Sequence, residues 1–225
     1  IEKKLKPNIS IIPYILKKNY NNKKIISGID SLIFDEKLKI RSKPKKVKKN
    51  YKVISICMGG SDPKNLTTRL IKDLIQINIK RIKFNIIVGP LFKSILIKRL
   101  KKIIKDYKNF TFYKDPKNFY TILKRSDLGI INSGNIKYEL VALGVPFLLL
   151  SNDIRAKKFC IYFANYFKCF YSYNFQYPTK FYIKNLLQKL IKNYKEFKLY
   201  SDFNQKMIDL HSVDKIAKHI NNTNK

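Results

Sequence analysis

The chain has 225 residues, 45% of them hydrophobic, with 48 Lys and Arg against 15 Asp and Glu for a formal net charge of +33. That length suits one large or two small domains with a substantial core, and no apolar run reaches the roughly 18 residues of a membrane span. The lysines are spread along every segment, beside abundant Ile, Asn, Tyr and Phe, with no Trp and 7 Gly; this is the bias of an AT-rich coding sequence rather than a nucleic-acid stripe, so no specific nucleic-acid partner is expected.

The chain opens on Ile1 rather than Met, which reads as a fragment, so the lack of a visible secretory leader carries little weight. Residues 1–50 are poorly patterned: "ISIIPYI" (9–15) and "KIISGIDSLIF" (24–34) read as strands, and "KIRSKPKKVKKN" (39–50) as a basic connector. We take 1–50 as a remnant of an N-terminal domain plus linker, and 51–225 as a domain of its own.

From there the pattern sharpens. "YKVISICM" (51–58) is a short β-branched run, hence a buried strand. "NLTTRLIKDLIQI" (65–77) sets Leu66, Leu70, Ile71, Leu74 and Ile77 near helical spacing. The alternation repeats with strands at "FNIIVG", "FTFY", "LGII", "PFLLL" and "CFYSY". Helices are expected at 92–107, "NFYTILKRS", "NIKYELVAL" and "RAKKFCIYFANY", and then over 179–197 and 202–221. Strands trading places with helices across short connections predict an α/β fold with a doubly wound parallel sheet. In such sheets ligands sit beyond the carboxyl ends of the strands, so the strand-to-helix turns are where chemistry belongs.

The first such turn is "MGGSDPKN" (58–65). Gly59 and Gly60 can expose consecutive N–H groups to an anion, and Ser61 or Asp62 can cap the next helix, with Pro63 near its first position. The same residues equally suit an ordinary capped glycine turn. In the second turn, Ser133 and Gly134 join strand Leu128–Ile131 to a helix whose N-terminus favours an anion. Glu139 follows five residues beyond Gly134, roughly 7.5 Å along the helix axis, about the span from a diphosphate to the hydroxyls of its ribose. A carboxylate accepts two hydroxyl hydrogen bonds well; the plainer alternative leaves Glu139 exposed and Lys137 solvated. Two weaker turns are "VGPLF" (88–92) and "YKDPKN" (113–118), the latter able to offer backbone groups to a base.

Cys57, Cys160 and Cys169 form no CxxC pair and cannot all be paired; Cys57, in an apolar strand, reads as a buried free thiol. A reducing, cytoplasmic setting follows. His211 and His219 lack a Cys or acid at metal-ligand spacing and read as surface residues of a terminal helix, so neither metal nor cofactor is expected.

"GGSDPKNLT" (59–67) resembles the start of the C-terminal domain of the UDP-sugar hydrolase of the pseudaminic acid pathway and of the related predicted glycosyltransferases of spore-coat polysaccharide synthesis. "IIVGPLFK" (86–93), "DLGIINSGNIKYELVALGVPFLLLSND" (127–153) and "IDLHSVDKIAKHI" (208–220) are similar to that family's later blocks. The resemblance implies the C-terminal, nucleotide-binding half of a GT-B enzyme with a Rossmann-like fold, acting on a UDP-linked sugar by hydrolysis or transfer. By position it implies that Gly59, Gly60 and Ser61 line the cleft, with Asp62 beside them. Ser133, Gly134 and Asn135 would face the diphosphate, Glu139 the ribose, and the backbone near Tyr113 and Lys114 the uracil. Asn152 stands where relatives carry an Asn-Gln pair, here followed by Asp153. The family's glycine-rich loop and catalytic histidine have no counterpart in 1–50, so no catalytic residue is assigned. A separate N-terminal domain or subunit would supply it, and without that partner the chain would be a non-catalytic nucleotide-binding module.

Overall fold

Ile54 and Ile56 pack to one side of their strand and Cys57 to the other, so this β-branched run is buried on both faces. In the computed structural model, which describes residues 9–13, 24–41, 52–151, 154–172, 184–185, 187–189 and 192–223, the same two-residue period recurs along the neighbouring strands. Leu128 and Ile130 oppose Ile131, and Leu148 and Leu150 oppose Phe147 and Leu149.

Two short strands come first. β1 (Ser10–Ile12) and β2 (Ile25–Ser27) pair in parallel as a separate two-stranded sheet. Only part of each predicted N-terminal strand is therefore extended. Gly28, at φ 85, ends β2 and turns the chain into a 3-10 turn at Ile29–Ser31, followed by α1 (Glu36–Arg41). Leu32 and Leu38 are buried, Ser212 Oγ donates to the Leu32 carbonyl, and Lys215 pairs with Asp30 at 3.0 Å. Residues 42–50 of the predicted connector lie outside the described residues.

The main sheet holds β3 (Val53–Cys57), β4 (Lys83–Val88), β5 (Phe110–Lys114), β6 (Leu128–Asn132), β7 (Phe147–Leu150) and β8 (Phe170–Ser172). All neighbours are parallel, in the order β5-β4-β3-β6-β7-β8. One face packs against α2 (Leu66–Ile77), α3 (Ser94–Ile104) and Phe197 of α7 (Tyr194–Met207). The other is covered by α1, α4 (Phe119–Arg125), α5 (Ile136–Leu143) and α6 (Ile154–Tyr166). The predicted α/β doubly wound sheet is thus present. Gly129 sets how close α5 comes: a Cβ there would lie 2.8 Å from Leu140 Cδ1.

The C-terminal helices differ from expectation. Much of the segment assigned to the first falls outside the described residues, and α7 runs through 198–201, the predicted gap. The chain breaks instead at 208–211, before α8 (Ser212–Thr223), where Asp209 Oδ1 accepts the His211 N–H at 2.8 Å. Ser201-Asp202 looks like a helix start, because Ser and Asp favour caps. Here Ser201 is buried and donates to the Gly144 carbonyl at 2.6 Å, while Asn204 donates to the Lys168 carbonyl at 3.2 Å. Tertiary contacts recruit these polar groups into a helix interior. His211 precedes α8 and is exposed, and His219 is partly buried on it.

Candidate functional site

The chain fills one half of the sheet from β3 outward to β5, then returns to lay β6 against the free side of β3. Strand order therefore reverses between β3 and β6, and the loops leaving these two strands diverge around a crevice, the usual ligand position in an open α/β sheet. These loops are the two glycine bends singled out in the sequence.

The first bend rests on backbone conformation. Gly59 has φ +84, and a Cβ there would sit 3.1 Å from Asn132 Nδ2. Gly60 is pressed by the next loop: a Cβ on Gly89 would lie 2.6 Å from Gly60 Cα, and the Leu91 N–H donates to the Gly60 carbonyl at 3.0 Å. Asp62, 3% exposed, turns its carboxylate onto α2, accepting the Leu66 N–H at 2.9 Å and the Thr67 N–H at 2.8 Å. Asp62 is the cap, as one of the two sequence alternatives had it, and both its oxygens are engaged within the fold. Pro63 lies before the helix, whose first residue is Leu66.

The second bend rests on side chains. Asn132, the last residue of β6, donates from Nδ2 to the Met58 carbonyl at 2.7 Å and accepts the Gly134 N–H on Oδ1 at 3.1 Å. One amide thus ties the two bends together. On the opposite side Lys137, only 7% exposed, donates from Nζ to the Ser133 carbonyl at 3.0 Å and the Gly134 carbonyl at 3.1 Å. Its ammonium lies 4.4 Å from the Tyr138 ring centroid and 5.5 Å from that of Phe163. Lys137 is not a solvated side chain. Burial lowers its pKa to about 8, which leaves it mostly charged at neutral pH, at the N-terminal end of α5.

Between the bends opens a cavity of about 630 Å³, within the range of small-ligand sites. Gly59 and Gly60 of the first bend, Asn132, Gly134 and Asn135 of the second, and Glu139 of α5 line it. Ile87 and Val88 at the end of β4, and Asp115, Pro116, Lys117 and Phe119 after β5, also line it. Asp35, just before α1, and Lys37, in its first turn, line it as well. Burial raises Glu139 from 4.5 to about 7; a hydrogen bond from Tyr120 on α4 lowers it, and the charge of Asp35 raises it. Cys57, at the tip of β3, also lines the cavity and is buried, its thiol pushed up to about 12 mainly by burial.

Of the residues expected from the sequence, Gly59, Gly60, Gly134, Asn135 and Glu139 are brought together here. Ser61 and Asp62 flank the first bend without lining the cavity, and Ser133 lines a second cavity of about 220 Å³ with Lys137 and Cys160. Tyr113 is half-buried against the core and Lys114 is exposed; Asp115, Pro116 and Lys117, one to three residues beyond Lys114, line the cavity. Asn152 lies outside the described residues. Asn132, Lys137, Tyr120 and Asp35 escaped the sequence reading, because no local pattern marks them. Among the described residues, no group of three His, Cys, Asp or Glu side chains is placed to hold a metal ion.

No family model matches the chain. It is 33% identical over 107 residues to an uncharacterised protein of Methanocaldococcus jannaschii, covering 45% of this chain and 21% of that protein. It is 26% identical over 131 residues to the spore coat polysaccharide biosynthesis protein SpsG of Bacillus subtilis, covering 58% of this chain and 38% of the relative. The chain thus spans well under half the length of either relative. Among solved structures it is similar to MurG of Acinetobacter baumannii, with a TM-score of 0.64 at 15% identity over 93% of this chain and 59% of that one. It is similar too to the UDP-GlcNAc 2-epimerase of Neisseria meningitidis bound to UDP-GlcNAc, with a TM-score of 0.57 at 14% identity over 88% and 55% of the two chains. The fold is the Rossmann-like domain of the GT-B architecture.

Proposed function

We propose that this chain is the nucleotide-sugar-binding part of a GT-B enzyme of surface polysaccharide biosynthesis, with 51–225 as the binding domain and a UDP-linked sugar as ligand. The observation that carries this reading is the joining of two strand-tip bends by Asn132 at the reversal of strand order, with a carboxylate set back in the same cavity wall. The likeness to a spore coat polysaccharide biosynthesis protein and to an epimerase bound to UDP-GlcNAc supports the choice of ligand.

In this reading the diphosphate lies over Gly59, Gly60 and the start of α5. The dipole of that helix favours an anion at its N-terminus. The buried ammonium of Lys137 adds positive charge to the same turn. Glu139 accepts the ribose hydroxyls, and the uracil enters between Pro116, Phe119 and the end of β4. Charge growing on the diphosphate as it leaves the sugar is then met by donors already in place. The attacking group, water in a hydrolase of a diacetamido-trideoxy sugar or an acceptor hydroxyl in a transferase, is activated by a separate N-terminal domain or subunit. The setting is cytoplasmic, where UDP-sugars are made. No helix among the described residues is long and apolar enough to cross a membrane.

Titration calorimetry with UDP tests the reading. Binding is expected for the chain as it stands, and Glu139→Ala should weaken it about tenfold, the effect of losing one to two hydrogen bonds to a charged group. No heat at millimolar UDP, or equal affinity for the variant, would refute it.

A further inference from the structure

Glu139 does not stand alone in the cavity wall. Tyr120, on the neighbouring helix α4, lines the same cavity and hydrogen-bonds to the Glu139 side chain. The other groups that face the carboxylate are Asp35, from the segment before α1, and Cys57 at the tip of β3, with Lys37 on the same cavity. Lys124, one turn further along α4, is spent elsewhere, on the Leu143 carbonyl at 2.8 Å. Tyr120 is thus a side chain of the fold that donates a hydrogen bond to this acid.

We propose that Tyr120 is the positioning residue for Glu139: its hydroxyl donates to the carboxylate and fixes its rotamer against α4, so that its remaining acceptor sites face the cavity for ligand hydroxyls. This rests on the reading of Glu139 as the ribose acid. An ionised carboxylate offers about four lone-pair sites on two oxygens, so one bond to tyrosine leaves enough for a pair of hydroxyls. A protonated one would present a donor where the ligand also brings donors. Burial and Asp35 both favour the protonated form, and the tyrosine opposes them. Burial and the nearby charges of Glu139 and Asp35 keep the Tyr120 hydroxyl itself protonated well above neutral pH, so it remains a donor throughout.

Two measurements on Tyr120→Phe test this. The first needs no ligand. The chain has four glutamates, so carboxyl carbon NMR with labelled glutamate resolves Glu139, assigned by its loss in Glu139→Gln. Its midpoint, near 7 in the native chain, should rise by about one pH unit in the variant, the effect expected for removing one hydrogen bond to a charged group. An unmoved midpoint would overturn the proposal. The second is UDP affinity against pH. The variant should bind about tenfold more weakly at pH 6 and nearly as well as the native chain at pH 9, because both carboxyls are ionised there. In a Glu139→Gln background, Tyr120→Phe should change nothing further. A loss that is the same at every pH, or that persists in that background, would mean that Tyr120 only packs, and the proposal would fall. If the native chain ignores UDP altogether, the nucleotide reading fails while the carboxyl titration still decides the tyrosine.

Discussion

The two bends at the crevice do the same job by different means. The β3–α2 bend is shaped locally: a glycine at φ +84, a second glycine against the backbone of the next loop, and an aspartate turned onto its own helix. Among Ser133, Gly134 and Asn135, by contrast, no residue has a positive φ. The β6–α5 bend is held by Asn132 reaching across to β3 and by Lys137 reaching back from inside α5. A bend made of backbone preference tolerates changes around it but not within it. One made of side-chain bonds depends on the sheet order that brings its partners near.

That contrast can be broken or sharpened by substitution. Asn132→Ala should act most strongly, since it leaves the Met58 carbonyl and the Gly134 N–H without their partner. We expect a loss of about 3 kcal/mol in denaturant unfolding together with loss of UDP binding, because both bends are released at once. An effect confined to stability would separate the bridge from the site.

Glu139→Gln comes next and should stabilise. Glu139 is raised from 4.5 to about 7 in the folded chain. Its contribution to stability is therefore complete below pH 4.5, declines between these values and is gone above pH 7. The glutamine should gain about 3 kcal/mol over the native chain at pH 8, about 2 kcal/mol at pH 6 and little near pH 4.5. A stability gain paired with weaker UDP binding is the trade expected of a functional acid. Thermal melts across that range check it, and a gain independent of pH would refute the burial argument.

Gly59→Ala tests the locally shaped bend. The left-handed conformation costs a non-glycine residue about 1–2 kcal/mol, and the new methyl meets Asn132 Nδ2 at 3.1 Å, so UDP affinity should drop with stability. Asp62→Ala is the smallest change, about 1 kcal/mol for a lost cap, with UDP affinity within about twofold of native since both carboxylate oxygens serve α2. Calorimetry on the pair separates strain within the bend from support beside it.

The alternation of strands and helices was legible because burial on two faces writes a continuous β-branched run, and burial on one face of a helix writes its own period. Gly59 and Gly60 were legible for a similar reason: Gly59 takes a positive φ that glycine adopts without strain, and Gly60 sits against the backbone of Gly89. Lys137 was not. A lysine in the first turn of an amphipathic helix looks solvated, and only the packing of Tyr138 and Phe163 around its ammonium reveals a buried strut. The gap expected at 198–201 failed in the opposite sense: Ser201 is drawn into a helix, where it donates to a carbonyl 57 residues away in sequence.

The sequence by itself determined the elements from β3 to β8, the two glycine-bearing turns and the five-residue setback of Glu139 from Gly134, since each follows from short-range sterics and periodicity. Tertiary structure alone decided that β6 returns to lie beside β3, which sets the two turns face to face and gives Asn132 a carbonyl to reach. It also decided that Tyr120 and Asp35, distant in the chain, meet at one carboxylate. Strand order and side-chain partnership are set by the closing of the whole core, and no local pattern of residues encodes them.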